Sequence, residues 1–292
     1  MRYRPLGARG QVVSAVSLIL QPDPSHRRPA DWVSLIYTAL ECGISGFELR
    51  AMDPVLGQGV AHAMHAVDRR LVFVALRLSL RPGRQASLNS VGGQVQGALA
   101  ATGLDYLDAV LLDPPAAVTP EGIKELAALK SAGLVRALGV SGSDEGVDAL
   151  VAGGKLDLLV TEYSLLSGWT ERRRVRAAGA CDMGVIAFGS FPKEQLERLM
   201  QPRQQKDRAQ PLAGVGGYGF LESTKDWTCE DLCLAYALTE PSLASVLVHA
   251  QSIDHLERLA AVPDRELPPA VAAQIEMARF SSLAEAEARR TA

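Results

Sequence analysis

Two polar side chains stand at the carboxyl ends of neighbouring predicted strands. Residues 109–113 are apolar up to the last of them, Asp113, and the apolar run 137–140 leads directly into Ser141. Between these runs, residues 120–133 carry apolar side chains at helical spacing, with Pro near the start and Gly at the end. A strand, a helix and a second strand in this order form a right-handed crossover. In barrels built from such units, chemistry lies at the carboxyl ends of the strands, so Asp113 and Ser141 mark a candidate site.

Strand and helix patterns alternate along the whole chain. Short apolar segments predict eight strands at residues 12–20, 46–51, 71–80, 109–113, 137–140, 156–163, 185–189 and 244–249. Helical spacing occurs at residues 32–42, 60–67, 91–102, 120–133 and 229–239, in the basic segment from Thr170, and in a tail from Pro268. Residues 201–224, polar and then Gly-rich, are predicted to form a surface loop. This order predicts one (β/α)8 TIM barrel domain spanning residues 1–292.

The composition is that of a globular protein without an extreme charge. The 292 residues are 48% hydrophobic and carry a net charge of -3, which gives no indication of nucleic acid or an anionic membrane as a partner. No apolar run approaches the roughly 20 residues of a membrane span, and the first ten residues lack the apolar segment of a signal peptide. We therefore expect a cytoplasmic protein. The four cysteines show neither metal-ligand spacing nor a disulfide pattern.

Six fragments, in order, carry a family resemblance. They are RYRPLGARGQVVSAVSL, ALECGISGFE, GLDYLDAVLLDPP, LKSAGLVRALGVSG, EYSLL and GVIAFGS. These fragments are similar to motifs of the aldo-keto reductase superfamily, which read close to RPLGxTGLxVSxLGLG, ALDxGINFFDTAxxYG, LGLDYIDLxLIHxP, LxxxGKVRAIGVSN, QxEYNLL and GVIAYGPL. The resemblance covers nearly the whole chain. It implies the barrel fold and, in ordinary members, reduction of carbonyl groups with NAD(P)H.

The catalytic residues of that family are altered in this chain. The resemblance implies a tetrad of Asp, Tyr, Lys and His, with the tyrosine as general acid and the other groups lowering the cost of its phenolate. The four positions hold Glu48, Asp53, Arg77 and Asp113. No tyrosine occurs between Tyr37 and Tyr106, and no lysine occurs before Lys124, so no shift of the alignment restores either group. An arginine is a poor substitute for the lysine, because its pKa is too high to share a proton with a phenol.

Two interpretations of the acidic and basic groups follow. In the first, Glu48, Arg77 and Asp113 form an ion-pair cluster where catalysis took place in relatives, and the chain is not an enzyme. In the second, Glu48 or Asp113, influenced by the other carboxylate, acts as an acid or base in a different oxidoreductase or lyase reaction. The sequence identifies no substrate for that reaction.

The cofactor side of the resemblance is better kept. The family's serine for the nicotinamide amide is Ser141 and its stacking aromatic is Phe188, whereas the asparagine and glutamine positions hold Gly142 and Val160. In the segment LVHAQSIDHLERL, Gln251 replaces the arginine that meets a 2′-phosphate, which favours NAD(H), and Leu259 replaces the adenine-binding asparagine. The helix that starts near Ser252 offers amide groups to a phosphate. The resemblance implies cofactor-binding positions at Ser141, Gly142, Glu162, Phe188, Gly189, Ser190, Gln251, Ser252 and His255.

A reductase-like barrel without its catalytic pair but with a nucleotide segment is typical of a regulator that responds to the cofactor. Within the family, the combination resembles a regulator of bacterial cell division and cell fate. That resemblance implies an NADH-responsive protein that acts on the division GTPase FtsZ and on the histidine kinase DivJ. Three hypotheses therefore remain: an inactive NAD(H)-binding regulator, an active oxidoreductase or lyase, and a scaffold that binds no nucleotide.

Overall fold

A closed barrel of eight parallel strands forms the centre of the molecule. The computed structural model describes residues 1–79, 91–113, 120–200 and 218–279. The barrel strands are β3 (Val16–Leu20), β4 (Gly46–Arg50), β5 (Phe73–Ser79), β6 (Leu107–Asp113), β7 (Val135–Ser141), β8 (Leu158–Glu162), β9 (Gly184–Phe188) and β10 (Ser245–Val248). They pair in the order β10-β3-β4-β5-β6-β7-β8-β9, which confirms the predicted (β/α)8 barrel.

Helices follow the strands on the outside of the barrel. They are α1 (Pro29–Glu41), α2 (Pro54–His65), α3 (Val91–Thr102), α4 (Pro120–Ser131), α5 (Glu145–Ala152), α6 (Trp169–Ala180), α7 (Lys193–Met200), α8 (Phe220–Ser223), α9 (Cys229–Ala237) and α10 (Ile253–Ala261). Residues 269–279 are also helical. None of the helices within the described ranges has both the length and the apolar character of a membrane span.

The first predicted strand is wrong in one respect, because residues 12–20 contain two strands. β2 (Val12–Ser14) pairs antiparallel with β1 (Tyr3–Pro5), and only β3 enters the barrel. The Ser14 hydroxyl causes the break: it donates to Val16 O at 2.6 Å and accepts from Ser45 N at 2.9 Å. Leu6 and Val13 of this hairpin pack into the cluster that fills the barrel interior. The hairpin therefore covers the amino-terminal end of the barrel.

Several helices begin earlier than predicted or were not predicted at all. α2 starts at Pro54, six residues before the predicted start, because Asp53 caps it and Pro54 suits the first helical position. α5 and α7 were not predicted, although Asp144 caps α5 in the same way. Their short lengths explain the omission, since about two turns give little periodicity.

The predicted surface loop 201–224 is only partly described. Residues 201–217 lie outside the described residues. Tyr218 and Leu221, in contrast, are buried against α9, where they join a cluster with Leu232 and Ile275. The end of the predicted loop is therefore part of the packed structure, which corrects the prediction for residues 218–223.

Candidate functional site

The period of two along each strand brings the candidate residues to the same end of the barrel interior. In β5, Phe73 and Ala75 belong to the interior cluster, and Arg77 continues their row towards the carboxyl end. On the other strands, too, every second residue points into the barrel, and the last of these residues lies at the carboxyl end of its strand. These are Glu48 and Arg50 on β4, Asp113 on β6, Ser141 on β7, Glu162 on β8 and Phe188 on β9. We call this end of the barrel the mouth.

Arg77 is the centre of the hydrogen-bond network at the mouth. Its side chain is only 7% exposed, and all three of its nitrogens donate to neighbouring strands. Nε and Nη2 donate to the two carboxylate oxygens of Glu48 at 2.9 and 3.1 Å, and Nη1 donates to Asp113 Oδ2 at 3.0 Å. Nη1 also donates to Ser141 Oγ. The predicted ion-pair cluster of Glu48, Arg77 and Asp113 is therefore present.

Arg50 is a member of this cluster that the sequence analysis missed. Its Nε donates to the same Glu48 oxygen that accepts from Arg77, so two guanidinium groups share one carboxylate. Burial lowers the pKa of the Arg50 guanidinium, and the Glu48 carboxylate opposes that effect. A signal was available, because Arg50 stands two residues after Glu48 and alternate residues of a strand point to the same face.

The network limits the acid and base chemistry that this cluster can perform. The two carboxylates bind different nitrogens of Arg77, and three guanidinium N–H groups point at Glu48. Hydrogen bonds from cations favour an ionised carboxylate, which accepts but does not donate protons. Asp113 is more accessible, with its side chain 38% exposed. Of the two acids, only Asp113 is placed to meet a dissolved molecule.

Asp53, at the position that the resemblance assigned to the family's tyrosine, has a structural role. Its carboxylate accepts a hydrogen bond from Leu56 N at 2.7 Å and so caps the start of α2. Two residues before Asp53, Ala51 adopts a left-handed backbone conformation with φ of 46°, which turns the chain sharply at the end of β4. Asp53 makes no ion pair with Glu48, Arg77 or Asp113 among the contacts of the described residues.

Replacing Asp53 should therefore cost stability rather than chemistry. We expect Asp53→Ala to lower the free energy of unfolding by about 0.5–2 kcal/mol, because the N-terminal amides of α2 lose their acceptor. Asp53→Ser should keep most of that stability, since serine is also a good capping residue. Urea unfolding of the three proteins measures the effect. Equal stability of wild type and Asp53→Ala would contradict the capping role.

Ser141 and Phe188 lie beside the Arg77 guanidinium. The Arg77 Cζ atom is 5.3 Å from the centroid of the Phe188 ring, within the range of a cation–π contact. Ser141 is buried and accepts from Arg77, which leaves its own hydroxyl hydrogen to be donated to another group. Arg77 thus connects Glu48 and Asp113 to the candidate cofactor positions Ser141 and Phe188.

The other positions that the resemblance assigned to the nicotinamide have different surroundings. Gly142 has φ of 145°, a conformation that favours glycine, and its amide donates to Val160 O at 3.0 Å. The Val160 side chain is fully buried in the interior cluster and has no polar atom to offer. Gly189 also has a positive φ, 68°, and a Cβ there would lie 3.3 Å from Glu162 Cγ. Ser190 follows it and is buried.

The start of α10 presents the predicted phosphate-binding residues. Ser252 caps this helix by accepting from His255 N at 3.2 Å, and Gln251 and Ser252 are both exposed. His255 is fixed from both sides of its ring. Its Nδ1 accepts from Gln251 N at 3.3 Å, and its Nε2 lies 2.9 Å from Glu230 Oε2. These two contacts fix the orientation of the His255 ring.

Ion pairs between α9 and α10 were not foreseen from the sequence. Arg258 donates to Glu230 Oε2 at 2.6 Å and also binds Asp231 and the Thr228 hydroxyl. The start of α10 is therefore held against the start of α9. The acids that pair with Arg258 lie 27 and 28 positions earlier in the chain.

A histidine and an aspartate also approach each other just beyond the ends of β10 and β3. His249 Nε2 is 3.7 Å from Asp23 Oδ2. Burial lowers the pKa of His249, an effect that Asp23 opposes and that His26, His255 and Arg50 reinforce. The Ser25 hydroxyl and amide lower the pKa of Asp23 by hydrogen bonding.

The residues fit a nicotinamide dinucleotide at three points. Phe188 offers an aromatic face, Ser141 offers a hydroxyl donor, and the exposed start of α10 offers the backbone amides of a helix N-terminus, which can bind a phosphate. The fit is weaker around the nicotinamide amide, where Gly142 and Val160 provide no side-chain donor or acceptor. The acidic residue Glu230 also lies close to the α10 start, 2.9 Å from His255.

Comparison with known families and structures agrees with this geometry. The profile of the Aldo/keto reductase family matches residues 52–279. No protein of curated function matches the chain at the sequence level.

Solved structures of aldo-keto reductases are similar to the fold. The holo form of aldo-keto reductase AKR11C1 from Bacillus halodurans is 20% identical, with a TM-score of 0.71 over 94% of this chain and 95% of that one. Its apo form gives a TM-score of 0.68 at the same identity and coverage. The thermostable aldo-keto reductase Tm1743, solved with the inhibitor epalrestat, is 17% identical, with a TM-score of 0.67 over 94% and 98% of the two chains. At these identities the likeness establishes the fold.

Proposed function

The chain belongs to the aldo/keto reductase family, and we propose that it is a member without carbonyl-reductase activity that binds NAD(H) and regulates protein partners. One observation carries the first part of this proposal. Arg77 is bonded through every nitrogen to Glu48, Asp113 and Ser141, at the positions where the family's lysine would act. No group in that network is a phenol, and the residue at the tyrosine position, Asp53, caps a helix instead.

The physical reason for inactivity is the missing proton donor. Reduction of a carbonyl needs a proton at the oxygen as hydride reaches the carbon, and general acid catalysis of that step contributes about 10²–10⁴ in rate. An arginine guanidinium is in general too weak an acid to donate a proton and recover it in each turnover, so Arg77 is a poor replacement for the missing acid. Glu48 is buried and surrounded by guanidinium groups.

The cofactor part of the proposal rests on residues outside that cluster. Family members bind nicotinamide cofactors, and in this chain Phe188, Ser141 and the start of α10 at Ser252 would hold the dinucleotide. A bound dihydronicotinamide supplies a hydride. The residues of this chain would bind and orient the ring, while Arg77 fixes the Ser141 hydroxyl so that its hydrogen points away from the guanidinium. Binding without turnover is what a sensor of the nucleotide requires.

The position of Gln251 leads to a prediction about cofactor choice. Gln251 is exposed beside the cap of α10, and no guanidinium replaces it at that position. NADPH should therefore lack a charge-assisted contact worth about 1.5–3 kcal/mol, and NADH should bind at least as tightly as NADPH. We expect Gln251→Arg to shift the preference towards NADPH. Titration calorimetry at moderate salt measures both affinities.

A matched control separates this effect from a general gain of positive charge. Gln96→Arg adds the same group on the exposed face of α3, away from the candidate phosphate residues. It should leave the ratio of NADH to NADPH affinity unchanged. Tighter binding of NADPH than NADH by the wild type would refute the assignment of Gln251.

The regulatory part of the proposal rests on resemblance. The combination of altered tetrad and kept nucleotide segment resembles the bacterial division regulator KidO, and by that resemblance we propose FtsZ and DivJ as partners. If nucleotide occupancy changes the affinity for a partner, linkage requires that the partner change nucleotide affinity by the same factor. Binding of each purified partner, measured with and without saturating NADH, tests both the choice of partners and the dependence of their affinity on the nucleotide. Absence of binding to either partner in both states would remove them from the proposal.

One experiment discriminates among the three hypotheses for this chain. Direct titration with NADH, NAD⁺ and NADPH, followed by an assay for nucleotide consumption, gives a different result for each. A regulator binds NAD(H) and does not consume it, an enzyme binds it and turns it over with some substrate, and a scaffold binds none of the three. Saturable NADH binding that is lost in Phe188→Asp would support the proposed site. Binding that is unaffected by this change would place the nucleotide elsewhere.

A further inference from the structure

A groove lies at the end of the barrel opposite the mouth. Its volume is about 1300 Å³, and its walls come from the β1–β2 hairpin, the end of α1 and the residues that precede β4, β5 and β7. Every lining residue belongs to the described ranges, and none is a candidate cofactor position. The groove is therefore separate from the network around Arg77.

Exposed apolar side chains project into the groove from rigid supports. Tyr3, Val12 and Leu71 are 54%, 55% and 71% exposed. The Tyr3 hydroxyl donates to Gly43 O at 2.9 Å, which fixes the ring across the end of α1. Leu71 ends a short 3-10 turn that Asp68 caps. Anchors held in this way lose little conformational entropy when a partner covers them.

Basic side chains surround these anchors. Arg70 and Arg136 are 83% and 52% exposed, and Lys130 is 34% exposed. Each has an acidic partner: Asp68 at 2.8 Å for Arg70, Asp108 at 3.6 Å for Arg136 and Asp157 at 2.7 Å for Lys130. Only Asp68 lines the groove, and Asp108 and Asp157 are 1% and 13% exposed, so the solvent-facing charge of the rim is mainly positive. The Arg136 guanidinium is stacked on the Tyr106 ring at 3.6 Å, so its position is also fixed. This basic rim stands out in a chain whose net charge is -3. Charge complementarity therefore favours an acidic occupant.

From these features we infer that the groove is a docking site for an acidic peptide segment of a partner protein, with apolar side chains that cover Tyr3, Val12 and Leu71. Tyrosine and arginine are enriched among the residues that dominate binding energy, and here both types are preorganised around an apolar centre. The inference rests on the proposed regulatory function, since a regulator needs a partner surface. The groove is complete without nucleotide, so it can be tested even if nucleotide binding fails.

Selection from a display library of random peptides of about twelve residues, using the immobilised full chain without nucleotide, tests the inference. We expect enrichment of peptides that combine Asp or Glu with apolar residues. Leu71→Asp should weaken their binding at least about tenfold, and Arg70→Glu should weaken it by a similar factor at low salt. Both positions are highly exposed, so the variants should fold, which a thermal unfolding curve verifies.

The control is Ile123→Asp, which changes an apolar side chain of 58% exposure on α4 outside the groove. It should leave peptide binding unchanged. Failure to select acidic peptides, or selected peptides that bind Leu71→Asp and Arg70→Glu as tightly as wild type, would overturn the inference. Sedimentation of the wild type tests whether a second copy of the chain occupies the groove instead. A dimer that Leu71→Asp converts to a monomer would show that it does, and would also overturn the inference.

Discussion

Arg77→Met is expected to lower the free energy of unfolding by about 3–5 kcal/mol, the usual cost of removing one partner from a buried ion pair. Arg77 is 8% exposed as a residue, and its removal leaves Glu48, only 2% exposed, with one of its two guanidinium partners. Ser141 also loses a donor. Urea unfolding monitored by tryptophan fluorescence measures the change.

The control for this prediction is an ion pair of the same kind at the surface. Arg70 pairs with Asp68 at 2.8 Å, but its side chain is 83% exposed, so Arg70→Met should change stability by less than about 1 kcal/mol. A double-mutant cycle of Arg77→Met with Glu48→Gln should give a large coupling energy, because the two residues share two hydrogen bonds. A loss below about 1 kcal/mol for Arg77→Met would show that the network adds little to stability.

Most of the barrel could be predicted because its strands leave a local signature in the sequence. Each strand is a short apolar run, and a parallel strand covered on both faces needs nothing more. The polar residue that ends such a run, as Asp113 and Ser141 do, marks the mouth without knowledge of the fold's other strands. The period of two then predicts that Arg77 and Asp113 point inwards together, and the ion pair between them is present at 3.0 Å.

The parts that could not be predicted depend on contacts between distant segments. The split of residues 12–20 is set by Ser14, whose hydroxyl meets Ser45 from the next barrel unit. The attachment of α10 to α9 depends on Arg258 reaching Glu230, which no local pattern indicates. The role of Asp53 belongs to a different category. Its sequence position suggested a former catalytic site, whereas the local signal of Asp before Pro, typical of a helix start, described the residue correctly.

The Ser141 contact illustrates why a family alignment predicts position better than chemistry. The serine lies at the end of β7, where the family resemblance implies a nicotinamide contact. Its oxygen accepts from Arg77, a contact that the resemblance did not imply, since it assigns a lysine to that position. By that resemblance, an arginine in place of the lysine changes the hydrogen bonds of the serine. The same reasoning applies to Glu48, which is shared by Arg50 and Arg77.

Wild-type protein is expected to show no carbonyl-dependent oxidation of NADH or NADPH above the enzyme-free rate, across a panel of simple aldehydes and ketones. The expectation follows from geometry as well as composition. Of the two carboxylates in the network, the more exposed one, Asp113, accepts a hydrogen bond from the Arg77 guanidinium, and Glu48 is buried. Loss of general acid catalysis alone removes about 10²–10⁴ in rate, and the lysine that would activate a phenol is also missing.

Two variants make this assay decisive between an inactive barrel and an enzyme that uses its acids. Any carbonyl-dependent rate that falls in Asp113→Ala would assign catalysis to that carboxylate and support the oxidoreductase or lyase hypothesis. A robust rate that survives Asp113→Ala would also contradict the proposal that the protein is inactive. In that case, a proton donor other than Asp113 and outside the described network would carry out the catalysis. The double variant Asp53→Tyr, Arg77→Lys returns the family's residue types. It should not recover a full rate, because Asp53→Tyr removes the cap of α2 and Arg77→Lys gives up the paired hydrogen bonds that hold Glu48.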